Sequence, residues 1–215
     1  MTYPTIIGIP TRGNDLSVNL IMLINSLKYP VYFQQCNFSA SLAQNLVFTT
    51  AFHKESNVIM LDSDVSTSPE TIDKLISSGK DVISAPVFHY DINLRDVHVD
   101  VCLSGGIREG ASEGRNYVMK SSGIEEIRHS SFSCIFISYN VLKAFHDNKE
   151  SYTELNDSEK IEDENVTSDQ VFYHKLKKLG FKAYVDWSCR DTTHSRVVDL
   201  NINSITRIQK LIRIE

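Results

Sequence analysis

The chain has 215 residues, of which 41% are hydrophobic and 23% are charged, values that are typical of a folded globular domain. This composition excludes a disordered tail, a fibre and a peptide hormone, because enough apolar residues are present to build a core. The 22 Lys and Arg against 27 Asp and Glu give a net charge of −5, which argues against a strongly basic nucleic-acid-binding module.

The first half of the chain alternates strand and helix patterns. Short β-branched or apolar runs predict strands at residues 5–9, 31–33, 57–61 and 82–87. Apolar residues recur at helical spacing between these strands, and the third helix is opened by Ser68 and Pro69 and closed by Gly79. The run at 57–61 is apolar on both faces and is therefore expected at the centre of a sheet. This order predicts an α/β fold with an open, mostly parallel sheet flanked by helices, a nucleotide-binding architecture.

The second half of the chain is less regular. In chain order we predict hairpins and loops at 91–128, a strand at 131–138, a helix at 139–145, a mobile acidic loop at 146–165, a helix from 167, a strand at 182–186 and an amphipathic helix at 204–214. Thr167 and Gln170 have the spacing of a capping box at the start of their helix.

Two carboxylates, Asp62 and Asp64, directly follow the predicted central strand. Side chains two residues apart on a strand point to the same side, and open α/β sheets bind ligands at the carboxyl ends of their strands. Paired carboxylates at such a place suit Mg²⁺ or Mn²⁺. The alternative is a turn or capping pair, since Asp and Ser also favour the loops that end strands. The position between a buried strand and a capped helix favours the metal site.

Several segments resemble GT-A-fold glycosyltransferases. NVIMLDSDVSTSPETIDKLI is similar to their DxD segment, in which a hydrophobic strand leads into metal-binding carboxylates and a Pro-led helix. IIGIPTRGN resembles the opening nucleotide-binding strand, and SLAQNLVFTTAF resembles the Ala-Arg-Asn-led helix, with Gln44 where arginine is commoner. SSFSCIFISYNVLKAF is similar to the acceptor-side strand but lacks the usual glycine in its turn. VTSDQVFYHKLKKLGFKAYVDWSCRDTTH resembles the segment that carries an acidic residue at a helix start and then a metal-binding histidine.

The resemblance covers most of residues 5–194 and implies one GT-A-like domain. Residues 1–90 would bind the nucleotide sugar, residues 91–200 would form the acceptor side, and residues 201–215 would add a C-terminal helix. The implied reaction transfers a sugar from a UDP- or GDP-sugar to a hydroxyl acceptor with the help of Mn²⁺ or Mg²⁺. The compact size resembles that of small phage- or virus-encoded transferases.

The resemblance also implies roles for particular residues. Asp64 would bind the metal directly, Asp62 would contact the metal or the ribose, and His194 would be a third ligand. A lone histidine in a polar loop is more often solvated or a cap than a ligand, and the position of His194 after Asp186 and Trp187 is what favours ligation. Asp169 would deprotonate the acceptor hydroxyl in an inverting enzyme. Its alternative role is structural, because the helix dipole favours a carboxylate in the first turn. The further donor-binding candidates are Thr11, Arg12, Asp15, Gln44 and Asn45.

Other features bear on location. Cys36, Cys102, Cys134 and Cys189 are widely spaced and form no CxxC pair, which predicts buried or idle thiols in a reducing compartment. No apolar run approaches the roughly 20 residues that span a bilayer, and the first residues lack the pattern of a signal peptide. We therefore expect a cytoplasmic protein without a membrane span. Trp187, the one tryptophan, is expected in the core rather than as a platform for a sugar.

Three alternatives stay open at this stage. A small hydroxyl acceptor, such as a carbohydrate, is favoured over DNA because the chain is acidic. The alternative acceptor is a hydroxymethylated base of phage DNA. The basic residues Arg207, Lys210 and Arg213, on one face of the predicted last helix, favour this alternative. DSDVST also resembles the nucleophile loop of haloacid-dehalogenase-like phosphatases, but that loop normally follows the first strand, and here it follows the third. A non-catalytic protein that binds a sugar or nucleotide could keep the same fold.

Overall fold

A computed structural model describes residues 3–11, 16, 18–37, 39–91, 96–99, 101–103, 122–155 and 167–194. The predicted C-terminal helix at 204–214, with the basic face on it, lies outside the described residues. Residues 104–121 of the predicted hairpin region also lie outside the described residues.

Through the first half the helices and strands follow the predicted order, with the short strand β4 in addition. They are β1 (Thr5–Thr11), α1 (Val18–Ser26), β2 (Val31–Gln35), α2 (Ala40–His53), β3 (Asn57–Leu61), β4 (Val65–Ser66), α3 (Pro69–Ser77) and β5 (Val82–Ser84). The second half contributes β6 (Phe88–Asp91), β7 (Asp96–Val99), β8 (Val101–Leu103), β9 (Ile124–Ser130), β10 (Cys134–Ile137), α4 (Tyr139–Asp147), α5 (Ser168–Lys178), β11 (Ala183–Asp186) and β12 (Thr193–His194).

The main sheet has eight strands in the order β2-β1-β3-β10-β5-β11-β9-β8. The pairs β2–β1, β1–β3 and β5–β11 are parallel, whereas β10 runs antiparallel to both of its neighbours and β9 runs antiparallel to β11 and β8. All strands of this sheet except β9 and β10 therefore point the same way. Helices pack on both faces, so the predicted α/β class with an open, mostly parallel sheet is confirmed.

The strand order of the sheet does not follow the order of elements along the first half of the chain, because β10 from the second half lies between β3 and β5. Every residue of β10 is buried, and its sequence CIFI is apolar on both faces, so this strand fits only at the centre of a sheet. Its pairing partners lie more than 50 residues away along the chain, and a local pattern cannot specify them.

A second, four-stranded sheet has the order β4-β12-β6-β7. Strands β4 and β12 are antiparallel, with Thr193 opposite Ser66 and His194 opposite Val65. Strand β12 also lies parallel to β6, and β6 pairs with β7. This small sheet joins the segment that follows the DxD motif to the last described residues of the chain.

The hydrophobic core consists of one cluster on each face of the main sheet. On the face covered by α2, α4 and α5, Phe48 stacks on Phe172 with ring centroids 5.6 Å apart, and Phe132 meets Phe48 edge-on at 5.4 Å. Gly8 of β1 lets α2 approach the sheet closely, because a Cβ at this position would collide with Cγ1 of Val47. The core therefore fixes α2 and α5 beside each other above the sheet.

The expectation of a mobile loop at 146–165 is wrong for its first part. Helix α4 continues to Asp147, and Tyr152 and Thr153 are buried. The Nζ atom of Lys175, on α5, donates to the carbonyls of Ser151 and Glu154 at 3.2 and 2.7 Å and lies 2.8 Å from Oε2 of Glu150. A buried ammonium needs such partners, and the chain supplies them by packing onto α5. Residues 156–166 lie outside the described residues.

Three of the cysteines, Cys36, Cys134 and Cys189, are buried free thiols, as the spacing predicted. Trp187 is also buried, and its indole Nε1 donates to Oε2 of Glu125 at 2.9 Å, which agrees with a role in the core. No helix in the described part of the chain combines the length and the apolar character needed to cross a membrane.

Candidate active site

The DxD motif lies at the carboxyl end of β3, in the middle of the main sheet. Asp62 is half-buried and Asp64 is exposed. The Asp62 N–H donates to the Ser133 carbonyl at 3.0 Å, and the Ser133 hydroxyl donates to Oδ2 of Asp62 at 2.9 Å. The Val65 N–H closes the turn on the Asp62 carbonyl at 3.1 Å. These bonds fix the backbone and the carboxylate of Asp62 while Asp64 faces the solvent.

The end of β1 lies at the same edge of the sheet. Strands β1 and β3 are parallel, with Gly8 opposite Met60, so that their carboxyl ends meet. Thr11 is the last residue of β1 and is buried, and its carbonyl accepts from the Cys36 N–H at 2.9 Å. Of the donor-binding candidates that follow it, Arg12 and Asp15 lie outside the described residues.

The backbone of His194 returns to the DxD segment. In the pairing of β12 with β4, His194 lies opposite Val65, the residue that follows Asp64. The sequence separation of the two paired strands is large, so the fold and not the local chain brings them together. The position agrees with the predicted metal ligand, and ligation by the side chain stays a prediction.

Two side-chain contacts hold residues 191–192, which directly precede β12, against the start of α3. The hydroxyls of Thr67 and Thr192 lie 2.8 Å apart, and the Thr71 hydroxyl donates to Oδ1 of Asp191 at 2.7 Å. Burial alone would raise the pKa of Asp191, but hydrogen bonds from Ser68 and Thr71 outweigh it and lower the pKa below its ordinary value. The anionic form of Asp191 therefore fastens this segment beside the DxD motif.

The start of α5 brings together two of the predicted residues, Asp169 and Gln44. Oδ1 of Asp169 accepts from the Thr167 hydroxyl and from the Gln170 N–H, the latter at 3.1 Å. The neighbouring Ser168 hydroxyl donates to Oε1 of Gln44, on α2, at 2.7 Å. The predicted capping box is present, with the Thr167 N–H donating to Oε1 of Gln170 at 3.0 Å. Asp169 thus performs its structural role through one oxygen.

Asn45 lies beside Gln44 on α2 and has an unsatisfied atom. Its Oδ1 is buried and has no hydrogen-bond partner among the described residues. Leaving a buried acceptor unpaired costs on the order of 1–3 kcal/mol. An atom in this state is open to a donor from a ligand or from residues outside the described part.

The turn between β9 and β10 links the two parts of the site. Ser130 and the Tyr173 hydroxyl, on α5, are 2.7 Å apart, and Ser133 at the other end of the turn binds Asp62. Burial raises the pKa of Tyr173; the hydrogen bond with Ser130 lowers it in part, and the charge of Asp169 raises it further. Tyr173 is therefore a neutral hydrogen-bonding group. Ser130 and Ser133 were not among the predicted site residues; their signal in the sequence is the serine-rich turn, which stands where GT-A-fold glycosyltransferases usually have a glycine.

The residues at the carboxyl end of β3 around Asp62 and Asp64, here called the DxD edge, supply ligands that suit a hard divalent cation. Asp62 and Asp64 supply carboxylate oxygens, and the backbone of His194 passes next to them. The side chain of His194 is not among those that the structure describes. Among the described side chains, no group of three His, Cys, Asp or Glu residues could hold a metal ion. A complete metal site at this edge would therefore need the imidazole of His194 or oxygens of a bound ligand.

Comparisons with known proteins support the fold. No family model and no curated protein matches the sequence. The solved structure described as "Crystal Structure of A197 from STIV" has a TM-score of 0.51 and 14% identity, over 85% of this chain and 81% of that one. The structure of the inositol-1-phosphate CTP transferase from T. maritima has a TM-score of 0.46 and 13% identity, over 89% of this chain and 71% of that one. At 14% identity the likeness to the first structure concerns the fold alone, and no argument is based on the second, whose TM-score is below 0.5. The predicted α/β class, with a GT-A-like open sheet and flanking helices, is confirmed.

Proposed function

We propose that the chain is a metal-dependent glycosyltransferase that moves a sugar from a UDP- or GDP-sugar to a hydroxyl acceptor. The observation that carries this proposal is the pairing of β4 with β12, which brings the backbone of His194 next to Asp64 at the carboxyl end of the central strand. Together with the imidazole of His194, the two carboxylates would form a ligand set for Mn²⁺ or Mg²⁺.

The chemistry of the proposed reaction explains why a cation is needed. A nucleotide-sugar donor releases a nucleoside diphosphate, and a bound Mn²⁺ or Mg²⁺ stabilises the negative charge that grows on the leaving phosphate. Asp62, Asp64 and His194 would hold this ion. The Ser133 hydroxyl keeps the Asp62 carboxylate oriented, as partners of metal ligands commonly do.

The nucleotide would lie at the ends of β1 and β3 and against α2. Thr11 ends β1 at this edge, and Arg12 and Asp15 follow it in the chain. Asn45 offers a buried oxygen without a partner in the described part of the chain, which suits an N–H or O–H donor of the nucleotide. Gln44 is held by Ser168, so it connects the proposed donor side to the start of α5.

Asp169 would be the general base that takes the proton from the acceptor hydroxyl. Its Oδ1 accepts two hydrogen bonds, whereas its Oδ2 has no partner among the described residues. A carboxylate with one fixed and one available oxygen is held in place and can still accept a proton. The Gln44–Ser168 contact joins the helix that carries this base to the proposed donor side.

For the acceptor we favour a carbohydrate or another small hydroxyl compound over DNA. Residues 146–165 hold five Glu and three Asp against two Lys, and the structure packs the first part of this segment onto α5 through Lys175. This acidic segment precedes, along the chain, the helix that carries the proposed base, and its charge would repel a polyanion. Glycosylation of hydroxymethylated DNA bases is the alternative. Salt-sensitive, sub-micromolar binding to duplexes that contain such bases would favour it.

A donor screen tests the proposed function. Thermal unfolding is followed with UDP- and GDP-sugars in the presence of Mn²⁺, since a ligand at 100 times its Kd stabilises the native state by about 2.7 kcal/mol. A matching donor should raise the melting temperature only with metal, and acceptor mixtures should then release UDP or GDP. Asp64→Asn should abolish the metal-dependent shift, and Glu70→Gln, an exposed acid on α3, is the matched control.

The other functions give different products in the same assay. A haloacid-dehalogenase-like phosphatase would release phosphate from p-nitrophenyl phosphate with Mg²⁺. A non-catalytic binding protein would show a metal-dependent thermal shift without product. An unchanged shift in Asp64→Asn would contradict the proposed metal site.

A further inference from the structure

A second concave surface lies beside α5, and its lining includes Gln170 and Tyr173 from the site described above. A groove of about 750 Å³ is bounded by β9, by one face of α5 and by the connection from α5 to β11. In the main sheet, three strands separate β9 from β3, which carries the DxD motif. The volume of the groove is in the range of small-molecule sites.

Helix α5 presents a row of hydrogen-bond donors to this groove. Gln170, His174 and Lys177 are spaced at i, i+4 and i+7, so they share one face of the helix, and all three line the groove. Oε1 of Gln170 accepts the hydrogen bond of the helix cap, so its side-chain N–H groups remain as donors toward the groove. Lys177 is exposed and has no ion pair among the described residues.

The strand side of the groove adds positive charge. Arg128 and Lys182 line it, together with a single acid, Glu126. Lys182 and Glu126 pair with each other at 2.8 Å and largely neutralise one another. Arg128, like Lys177, has no acidic partner in the part of the chain that the structure describes. In an acidic protein, the lining of this groove therefore has a local excess of positive charge.

We propose that the groove binds a small phosphomonoester. A phosphomonoester carries a charge of about −1.5 to −2 at neutral pH, which matches Arg128 and Lys177, the two lining cations without an acidic partner in the described ranges. Arginine, lysine and amide donors are the groups that recognise phosphate oxygens in proteins. A duplex nucleic acid would need several phosphate contacts spread over a much larger surface than one groove of this size. This inference is independent of the proposed donor cleft.

The test is a titration of the ¹⁵N-labelled protein with glucose 6-phosphate, followed by NMR. We expect amide shifts in β9 and α5, none with glucose, and weaker shifts with inorganic phosphate. Lys177→Gln and Arg128→Gln should each weaken binding roughly three- to tenfold, because each removes one charge-assisted contact. Lys178→Gln is the matched control, since Lys178 is exposed on the same helix and does not line the groove.

The inference is overturned if glucose 6-phosphate shifts no amides in β9 or α5, or if Lys178→Gln weakens binding as much as Lys177→Gln. Inorganic phosphate that binds as tightly as glucose 6-phosphate would also overturn it, since the groove would then recognise only an anion. A short oligonucleotide that binds the same residues more tightly would replace the small phosphomonoester by a nucleic acid. None of these measurements depends on glycosyl transfer, so they leave the proposed function to its own assay.

Discussion

Ser133 and Asp62 hold each other through two hydrogen bonds. The Ser133 hydroxyl donates to Oδ2 of Asp62 at 2.9 Å, and the Asp62 N–H donates to the Ser133 carbonyl at 3.0 Å. Ser133 is buried, so its hydroxyl has little competition from water. The first carboxylate of the DxD motif therefore has an orientation set by the strand β10 that follows Ser133.

Ser133→Ala should weaken metal-dependent donor binding by roughly 10- to 150-fold, because a hydrogen bond to a charged group is worth roughly 1.5–3 kcal/mol. Isothermal titration with the donor found in the screen measures this effect. Ser131→Ala is the matched control in the same turn, since its buried hydroxyl has no partner among the described residues. Equal donor affinities of Ser133→Ala and the wild type would show that the hydroxyl does not position Asp62.

The sequence predicted the DxD edge because its signals are local. The apolar run of β3, the paired acids and the Ser68–Pro69 helix start all lie within 20 residues, and α3 is capped as expected, by the Ser68 side chain. Ser133 could not be predicted in this way, because it lies 71 residues from Asp62 and meets it only through the placement of β10. The same holds for the Gln44–Ser168 contact, which spans 124 residues.

His194→Ala should raise the Mn²⁺ concentration needed for half-maximal donor binding, with partial rescue by excess metal, because a weak divalent site would lose one ligand. The measurement is a series of donor titrations at increasing Mn²⁺. Thr193→Ala is the control, since Thr193 is exposed and occupies the adjacent position in β12. Superimposable metal curves for His194→Ala and the wild type would contradict the role of His194 as a ligand.

Asp169→Asn should lower turnover without disturbing the start of α5. The amide oxygen of Asn can keep the hydrogen bonds from Thr167 and Gln170, so the start of α5 should persist. Loss of the basic oxygen should lower turnover by roughly 10²- to 10⁴-fold while donor affinity stays near that of the wild type. Product release and donor titration measure the two effects. Unimpaired turnover would assign Asp169 to the helix start alone and favour a retaining mechanism or another base.

Gly8→Ala should destabilise the protein by about 1–3 kcal/mol, the usual cost of overpacking a core. The new Cβ would collide with Cγ1 of Val47 and would lie 3.3 Å from its Cβ, so α2 must move away from β1. Urea denaturation measures the change. In the double variant with Val47→Ala, the clash disappears and the combined loss should be smaller than the sum of the single losses. Additive losses would show that the close approach of α2 does not depend on the glycine.

The hydrogen bond from Thr71 to Asp191 predicts a pH-dependent contribution to stability. Hydrogen bonds from Ser68 and Thr71 outweigh burial and hold the pKa of Asp191 below its ordinary value of 3.8. A carboxyl whose folded pKa is depressed stabilises the native state above its unfolded pKa, and this contribution is lost as the pH falls through the folded pKa. Asp191→Asn should therefore lower the urea midpoint at pH 7, and its difference from the wild type should shrink below pH 3.8. Thr71→Val removes the donor from the same pair, so the double variant should lose less than the two single variants together. If the urea midpoints of Asp191→Asn and the wild type differ by the same amount at pH 7 and pH 3, the ionised form of Asp191 contributes nothing to the attachment of β12.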